Sequence, residues 1–264
     1  MGRHEVLTSP ANPMLKDVRR AIARGGLTDD GYMVAETFHL LDEALRGDLE
    51  IKAILAAESV HLGVRDHLPR RDGIRLVVVS DSLFQKVADT ESSQGVITLA
   101  NPPAWKLEDC LRGPSLAIVL DGVQDPGNAG SIVRAAEAFG ATGVLFTKGT
   151  VSPFNPKTLR ASAGSLFRVP FVHNLDAALA RAALEESKIA VYAAMPSQAV
   201  PPCDADLTRS CALVIGSEAR GVSERMRSGA VGLSISTVGV ESLNAAVAAG
   251  ILLYEAQRQR SLRA

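Results

Sequence analysis

Residues 116–139 read LAIVLDGVQDPGNAGSIVRAAEAF. The opening LAIVLD is apolar up to a terminal aspartate and lacks the polar alternation of a strand with one wet face. Such a run predicts a strand buried on both sides, as in parallel sheets. A glycine-bearing loop follows. Asn128 to Phe139 reads as a helix, with Gly140 in the position just past its end. GVLF (143–146) is the next strand, and ALVIG (212–216) and GLSIS (232–236) are later ones. Residues 242–260 form the last helix, with Leu243, Ala246, Val247, Gly250, Ile251 and Tyr254 on one face. Strand, loop, helix and strand in quick succession predict an α/β domain built on a parallel sheet.

Upstream, Asn101-Pro102-Pro103 marks a boundary, because two prolines after a strand end it and begin an extended linker. We therefore place one domain over 1–104 and a second over 114–264. The first holds a helix over Thr37–Arg46 and strands at Ile51–Ala56, Ile74–Ser80 and Gly95–Ala100, an α/β sandwich. In front of these stands a basic helical arm, with Arg3, Lys16, Arg19, Arg20 and Arg24 against Glu5 and Asp17, broken at Gly25-Gly26.

Composition narrows the class. The 264 residues are 47% apolar and 22% charged, with a formal net charge of −1. That balance argues against binding nucleic acid by bulk charge, but a local patch can still do so. Residues 1–113 carry 14 basic and 17 acidic residues (−3), and residues 114–264 carry 14 and 12 (+2), an asymmetry too small to name a partner. Cys110, Cys203 and Cys211 are odd in number and have no CxxC spacing, so neither a disulfide framework nor a metal site is expected. The N-terminus shows no apolar signal segment. The longest apolar stretch, Ala245 to Tyr254, is half of the roughly 20 residues that a membrane span needs. A cytoplasmic protein is the expectation.

Three loops each follow a buried strand and lead into a helix, where open parallel sheets bind ligands. In the first, Asn128 is placed to cap a helix whose first-turn amides would face a ligand, and Arg134 lies six residues on; together they lean towards phosphate recognition. The second, Gly216-Ser217-Glu218-Ala219-Arg220-Gly221, offers two flexible glycines and a carboxylate. The third, Glu241-Ser242-Leu243-Asn244, starts the last helix, which Ser242 or Asn244 could cap. Ala245, Ala246, Ala248, Ala249 and Gly250 follow, so other backbone should pack close to that helix. Neither G-x-G-x-x-G nor a Gly-Lys-Ser/Thr phosphate loop is present, which argues against a dinucleotide enzyme.

The ordered set DGVQDPGNAGSIVRAAEAFGA (121–141), NPKTLRASAGSLFRVPF (155–171), VIGSEARGVS (214–223) and ESLNAAVAAGILLYEAQRQR (241–260) resembles the motifs of the SpoU (TrmH-type) RNA ribose methyltransferases of the knotted SPOUT superfamily. The likeness spans essentially all of 116–260, and the combination in this order is highly specific. LTSPANPMLKDVRR (7–20) and GYMVAET (31–37) resemble the substrate-binding domain that precedes it in many members, a domain with the fold of a small ribosomal protein.

The resemblance implies a parallel-sheet domain with a deep trefoil knot, its last helix threaded through. It implies S-adenosylmethionine bound by backbone around Thr147, Gly216, Ile235 and Leu243, and a homodimer whose active site draws on both subunits. It makes Arg134, Asn128, Glu218, Ser242 and Asn244 the catalytic set. The pattern departs at Ile235-Ser236-Thr237, where the family usually has Ile-Pro-Met, and at Glu36-Thr37, where it usually has Glu-Gly. Because a guanidinium hardly deprotonates in a protein, Arg134 is read as an electrostatic clamp on a backbone phosphate, with Asn128 orienting it or the ribose. Arg160 is a second phosphate contact or a structural ion pair. Lys16, Arg19 and Arg20 are candidates for choosing the RNA. The substrate expected is ribosomal RNA, with transfer RNA as runner-up and a non-catalytic RNA-binding relative as the alternative. Neither membrane nor metal enters this reading.

Overall fold

The computed structural model describes residues 4–47, 49–68, 73–88, 93–197 and 199–263, so Arg3 of the expected arm lies outside the described residues. The chain runs β1 (Glu5–Leu7), α1 (Pro13–Arg24), β2 (Met33–Glu36), α2 (Phe38–Arg46), β3 (Ile51–Ala57), α3 (His61–His67), β4 (Arg75–Val79), α4 (Asp81–Gln85) and β5 (Val96–Ala100). It continues through α5 (Leu107–Cys110), β6 (Leu116–Asp121), α6 (Pro126–Ala138), β7 (Gly143–Thr147), α7 (Pro156–Ser162), β8 (Phe171–Leu175), α8 (Ala177–Glu186), β9 (Ala190–Ala194), β10 (Cys211–Gly216), α9 (Glu224–Arg227), β11 (Val231–Leu233) and α10 (Ala245–Ser261). Two compact units result. One is residues 1–104 with Phe154–Phe167; the other is Trp105–Pro153 with Arg168–Ala264.

In the first unit the described strands form a mixed sheet in the order β1-β4-β3-β5-β2. Leu15, Val18, Ala21 and Ile22 of α1 are spaced as one helix face and pack on Val34, Leu55, Val77, Ile97 and Leu99 of that sheet. The basic segment is therefore an ordered helix anchored in a core, with a short strand in front of it, rather than an arm. Its charge is partly offset, since Arg20 and Arg24 pair with Asp29 at 2.5 and 3.0 Å.

Segment 154–167, expected within the second domain, groups with this first unit. There α7 packs on β2, and Arg160 Nη1 lies 2.7 Å from Glu36 Oε2. Glu36 is almost wholly buried (2% side-chain exposure), so its charge needs this partner. At Arg160 the structural ion pair is the role observed. Thr37 adopts φ +128°, a value that favours glycine, while its hydroxyl caps α2 at Leu40 N.

The second unit carries a parallel sheet in the order β11-β9-β10-β6-β7-β8. Ala117, Val119, Leu145, Ala212 and Val214 line one face and pack under Ala180 and Leu184 of α8 and Met226 of α9. The alternate residues Ile118, Leu120 and Leu213 are equally buried, because a parallel sheet is covered on both sides. α10 packs on α6 and β10. Its far end is pinned by Arg260, which donates to the carbonyls of Leu207, Pro114, Ser115 and Arg209 at 2.7–3.0 Å. Successive strands β6, β7 and β8 build one way; the chain then returns and lays β10 against the other side of β6. The order reverses there, which opens a crevice at the carboxyl ends of β6 and β10.

Three sequence expectations shift. The strand expected over 232–236 ends at Leu233. The last helix begins at Ala245 with Asn244 as its cap, not at 242. Its buried face is Ala245, Ala249, Leu252, Leu253 and Ala256, whereas the apolar face read from sequence, Val247, Ile251 and Tyr254, stands 51%, 39% and 55% exposed. The helix is apolar on two sides, so periodicity alone could not choose the inward one.

Candidate active site

Two loops from strand ends and the head of α10 converge on the crevice. Asp125, not Asn128, caps α6. Its Oδ1 accepts from Asn128 N at 2.6 Å, and Pro126 takes the first helical position, where its missing N–H costs nothing. The Asn128 side chain is thereby released. Asn244 Oδ1 accepts the backbone N–H groups of Ala246 and Val247 at 2.9 and 3.2 Å. That leaves its Nδ2 as a donor, which reaches Asn128 Oδ1 at 2.9 Å. Asn128 must then donate through Nδ2, and it does so to Glu218 Oε1 at 2.7 Å. Each amide has one consistent orientation, set by the helix cap and propagated to the carboxylate. Residues 128, 218 and 244, from the first turn of α6, the loop after β10 and the cap of α10, form one relay.

The Glu218 loop is held tightly. Ser217 and Gly221 exchange backbone hydrogen bonds of 3.1 and 2.8 Å, and Arg220 N donates to Ser217 Oγ at 3.1 Å. Gly221 sits at φ +66°, and a Cβ on Gly216 would fall 2.0 Å from the Gly221 carbonyl carbon, so only glycine fits at 216. Asp121, at the end of β6 and 7% exposed, anchors the loop's far side: Oδ2 accepts Ser223 N at 2.7 Å and Oδ1 accepts Thr147 Oγ1 at 3.2 Å.

The Glu218 loop and the head of α10, with the segments that follow β9 and β11, enclose a cavity of about 670 Å³, within the range of about 300–1,000 Å³ usual for small-molecule sites. Gly216, Glu218, Ile235, Thr237, Glu241, Ser242, Leu243 and Asn244 line it, together with Met195 and Arg227, which the sequence reading did not single out. Met195 and Pro196 directly follow β9, and a strand-ending proline at the carboxyl edge of a parallel sheet was the signal available for them.

Residues 115–254 match the SpoU rRNA Methylase family, and residues 12–98 match the MRM3-like substrate binding domain. The chain belongs to the SpoU rRNA methylase family. It is 31% identical to the 23S rRNA (guanosine(2553)-2′-O)-methyltransferase RlmP of Bacillus subtilis, over 94% of this chain and 97% of that protein. It is 30% identical to the uncharacterized tRNA/rRNA methyltransferase slr1673 of Synechocystis, over 96% and 94%. It superposes on the SpoU methyltransferase AviRb from Streptomyces viridochromogenes in complex with the cofactor AdoMet with a TM-score of 0.84, at 26% identity over 95% of this chain and 98% of that one.

In this SpoU chain the residues singled out from sequence separate into groups. Asn128, Glu218 and Asn244 meet directly, and Gly216, Ile235, Ser242 and Leu243 line the adjoining cavity. Thr147 does not line it; its buried hydroxyl supports Asp121 and the Leu120 carbonyl. Arg134 is exposed on α6, and its side chain makes neither an ion pair nor a hydrogen bond to any described residue, so Asn128 does not orient it within one chain. Lys16 and Arg19 are likewise exposed on α1. The thiols are remote from this chemistry: burial pushes Cys110 up to about 12 and raises Cys211, and neither lines the cavity. Among the described residues no His, Cys, Asp and Glu cluster could hold a metal, and no helix is long and apolar enough to cross a membrane.

Proposed function

We propose that this chain transfers the methyl group of S-adenosylmethionine to a ribose 2′-hydroxyl of ribosomal RNA in the cytoplasm. The observation that carries the reading is the Glu218–Asn128–Asn244 relay at the edge of a cavity of about 670 Å³. S-adenosylmethionine, when bound, supplies an electrophilic methyl on a sulfonium; Gly216, Ile235 and Leu243 are the residues to hold it. The protein's own task is to align a weakly nucleophilic hydroxyl and to steady the charge that develops as its proton leaves. Asn128, oriented from both sides, presents a fixed amide for that alignment. The Arg134 guanidinium has no partner among the described residues, so it is free to grip an RNA phosphate.

The resemblance also makes the last helix part of a deep trefoil knot and the working species a homodimer. Supporting the dimer is the exposed stripe Val247, Ile251 and Tyr254 on α10, beside Gly250, where an added Cβ would meet nothing within 4 Å. A second copy's helix can approach closely there, and Arg134 can then serve the partner's cavity. The domain over 1–104, with Lys16 and Arg19 on α1, selects the RNA.

The test is incubation with methyl-labelled S-adenosylmethionine and, separately, total ribosomal and transfer RNA, beside Arg134→Ala. Label in ribosomal-RNA ribose, lost by at least 100-fold in the variant while cofactor binding stays, is the expected result. Label in transfer RNA instead would favour the tRNA side of the Synechocystis relative's description. Cofactor binding without label in either RNA would point to a non-catalytic RNA-binding relative.

A further inference from the structure

The cavity's most irregular wall is the stretch from Ser234 to Asn244, between β11 and α10. Its ends are held: Ser234 N donates to Val200 O at 3.0 Å, and Asn244 is locked by the relay and the α10 cap. Between them, among the described residues, one hydrogen bond joins two residues of the loop, from Thr237 Oγ1 to the Val240 carbonyl at 2.8 Å. It closes a turn around Gly239 at φ +82°, which carries Val238 out to full exposure. Ile235, Thr237, Glu241, Ser242 and Leu243 line the cavity on either side of this turn. Position 236 is serine, so no proline ring stiffens the chain here.

We propose that Thr237 is a positioning residue for the cofactor. Its hydroxyl latches the 237–240 turn and so holds Ile235 and Leu243 apart at the spacing the bound ligand needs. This rests on the cavity being the S-adenosylmethionine site. The physical basis is preorganisation: a loop ordered before binding does not lose that freedom when the ligand arrives. The latch needs a hydroxyl at 237 and does not need the threonine methyl.

The experiment compares wild type, Thr237→Val and Thr237→Ser in the full chain. Isothermal titration with S-adenosylmethionine should show a dissociation constant about 3- to 10-fold weaker for the isosteric valine and within about 2-fold of wild type for serine, the range set by one net hydrogen bond. The KM for S-adenosylmethionine should rise with the dissociation constant in Thr237→Val and stay within about 2-fold of wild type in Thr237→Ser, and a loss confined to kcat would overturn the proposal. Hydrogen exchange of the peptide spanning 234–244, measured without ligand, should be faster in Thr237→Val alone. Equal affinity and equal exchange in the valine variant overturn the proposal. So does a serine variant as weak as valine, which would assign the effect to the methyl group. If wild type binds no S-adenosylmethionine, the cofactor reading fails, and the exchange data still decide whether the latch exists.

Discussion

Thr37 shows how one residue can hold two opposing roles. At φ +128° a β-branched residue sits in glycine territory, a strain of about 1–3 kcal/mol, while its hydroxyl caps α2. Replacing a capping threonine with glycine loses only a few tenths of a kcal/mol. Thr37→Gly should therefore stabilise the protein by about 1 kcal/mol, read from the denaturant midpoint at unchanged slope. A loss of stability would show that the cap outweighs the strain. That Glu36-Thr37 departs from the usual Glu-Gly was visible in the sequence. What the glycine is for was not, because φ is a property of the folded backbone. Asn128 is similar. Its type and place were legible, but Asp125 and Pro126 form the helix start, so Asn128 is a relay member and not a cap.

At the scale of elements, the tightest constraint is the loop after β10. A Cβ at position 216 would overlap the Gly221–Val222 peptide at 2.0–2.3 Å, and backbone cannot step aside as a side-chain tip can. Gly216→Ala should lower stability by about 3 kcal/mol and abolish S-adenosylmethionine binding, checked by denaturation and titration on the same sample. A second element-level case is α8. The Ala178 N–H, with Lys148 nearby, holds the Asp176 carboxyl below its ordinary 3.8. Since the folded value is the lower one, this contribution is present above pH 3.8 and is lost as the pH falls through the folded value. Asp176→Asn keeps a cap acceptor but does not titrate, so its stability should fall less steeply than wild type below pH 4, measured by acid unfolding. Strands were the most readable elements because two-sided burial writes itself as an apolar run. The short β1 was hidden inside a stretch whose charges caught the eye, and 154–167 gave no local sign of the unit it joins.

For the whole molecule, the proposed dimer rests on α10. Its inward face meets α6 and β10, and its outward face keeps Val247, Ile251 and Tyr254 in solvent. If that dimer forms, Ile251→Asp, at a side chain 39% exposed in the single chain, should leave the far-ultraviolet spectrum unchanged and convert it to a monomer in sedimentation. A variant that stays dimeric would place the interface elsewhere.

The sequence by itself determined the class of fold, the buried strands β6, β7 and β10 with the loops that follow β6 and β10, and the residue types at 128, 218 and 244, because burial and turn chemistry are local and the motifs stand in fixed order. Only the tertiary structure decided which residue caps α6, which side of α10 faces inward, that Thr147 supports Asp121, and that Arg160 neutralises buried Glu36. The last three depend on partners far along the chain, which no local pattern names, and the α6 cap, though local, follows from where the folded backbone starts the helix.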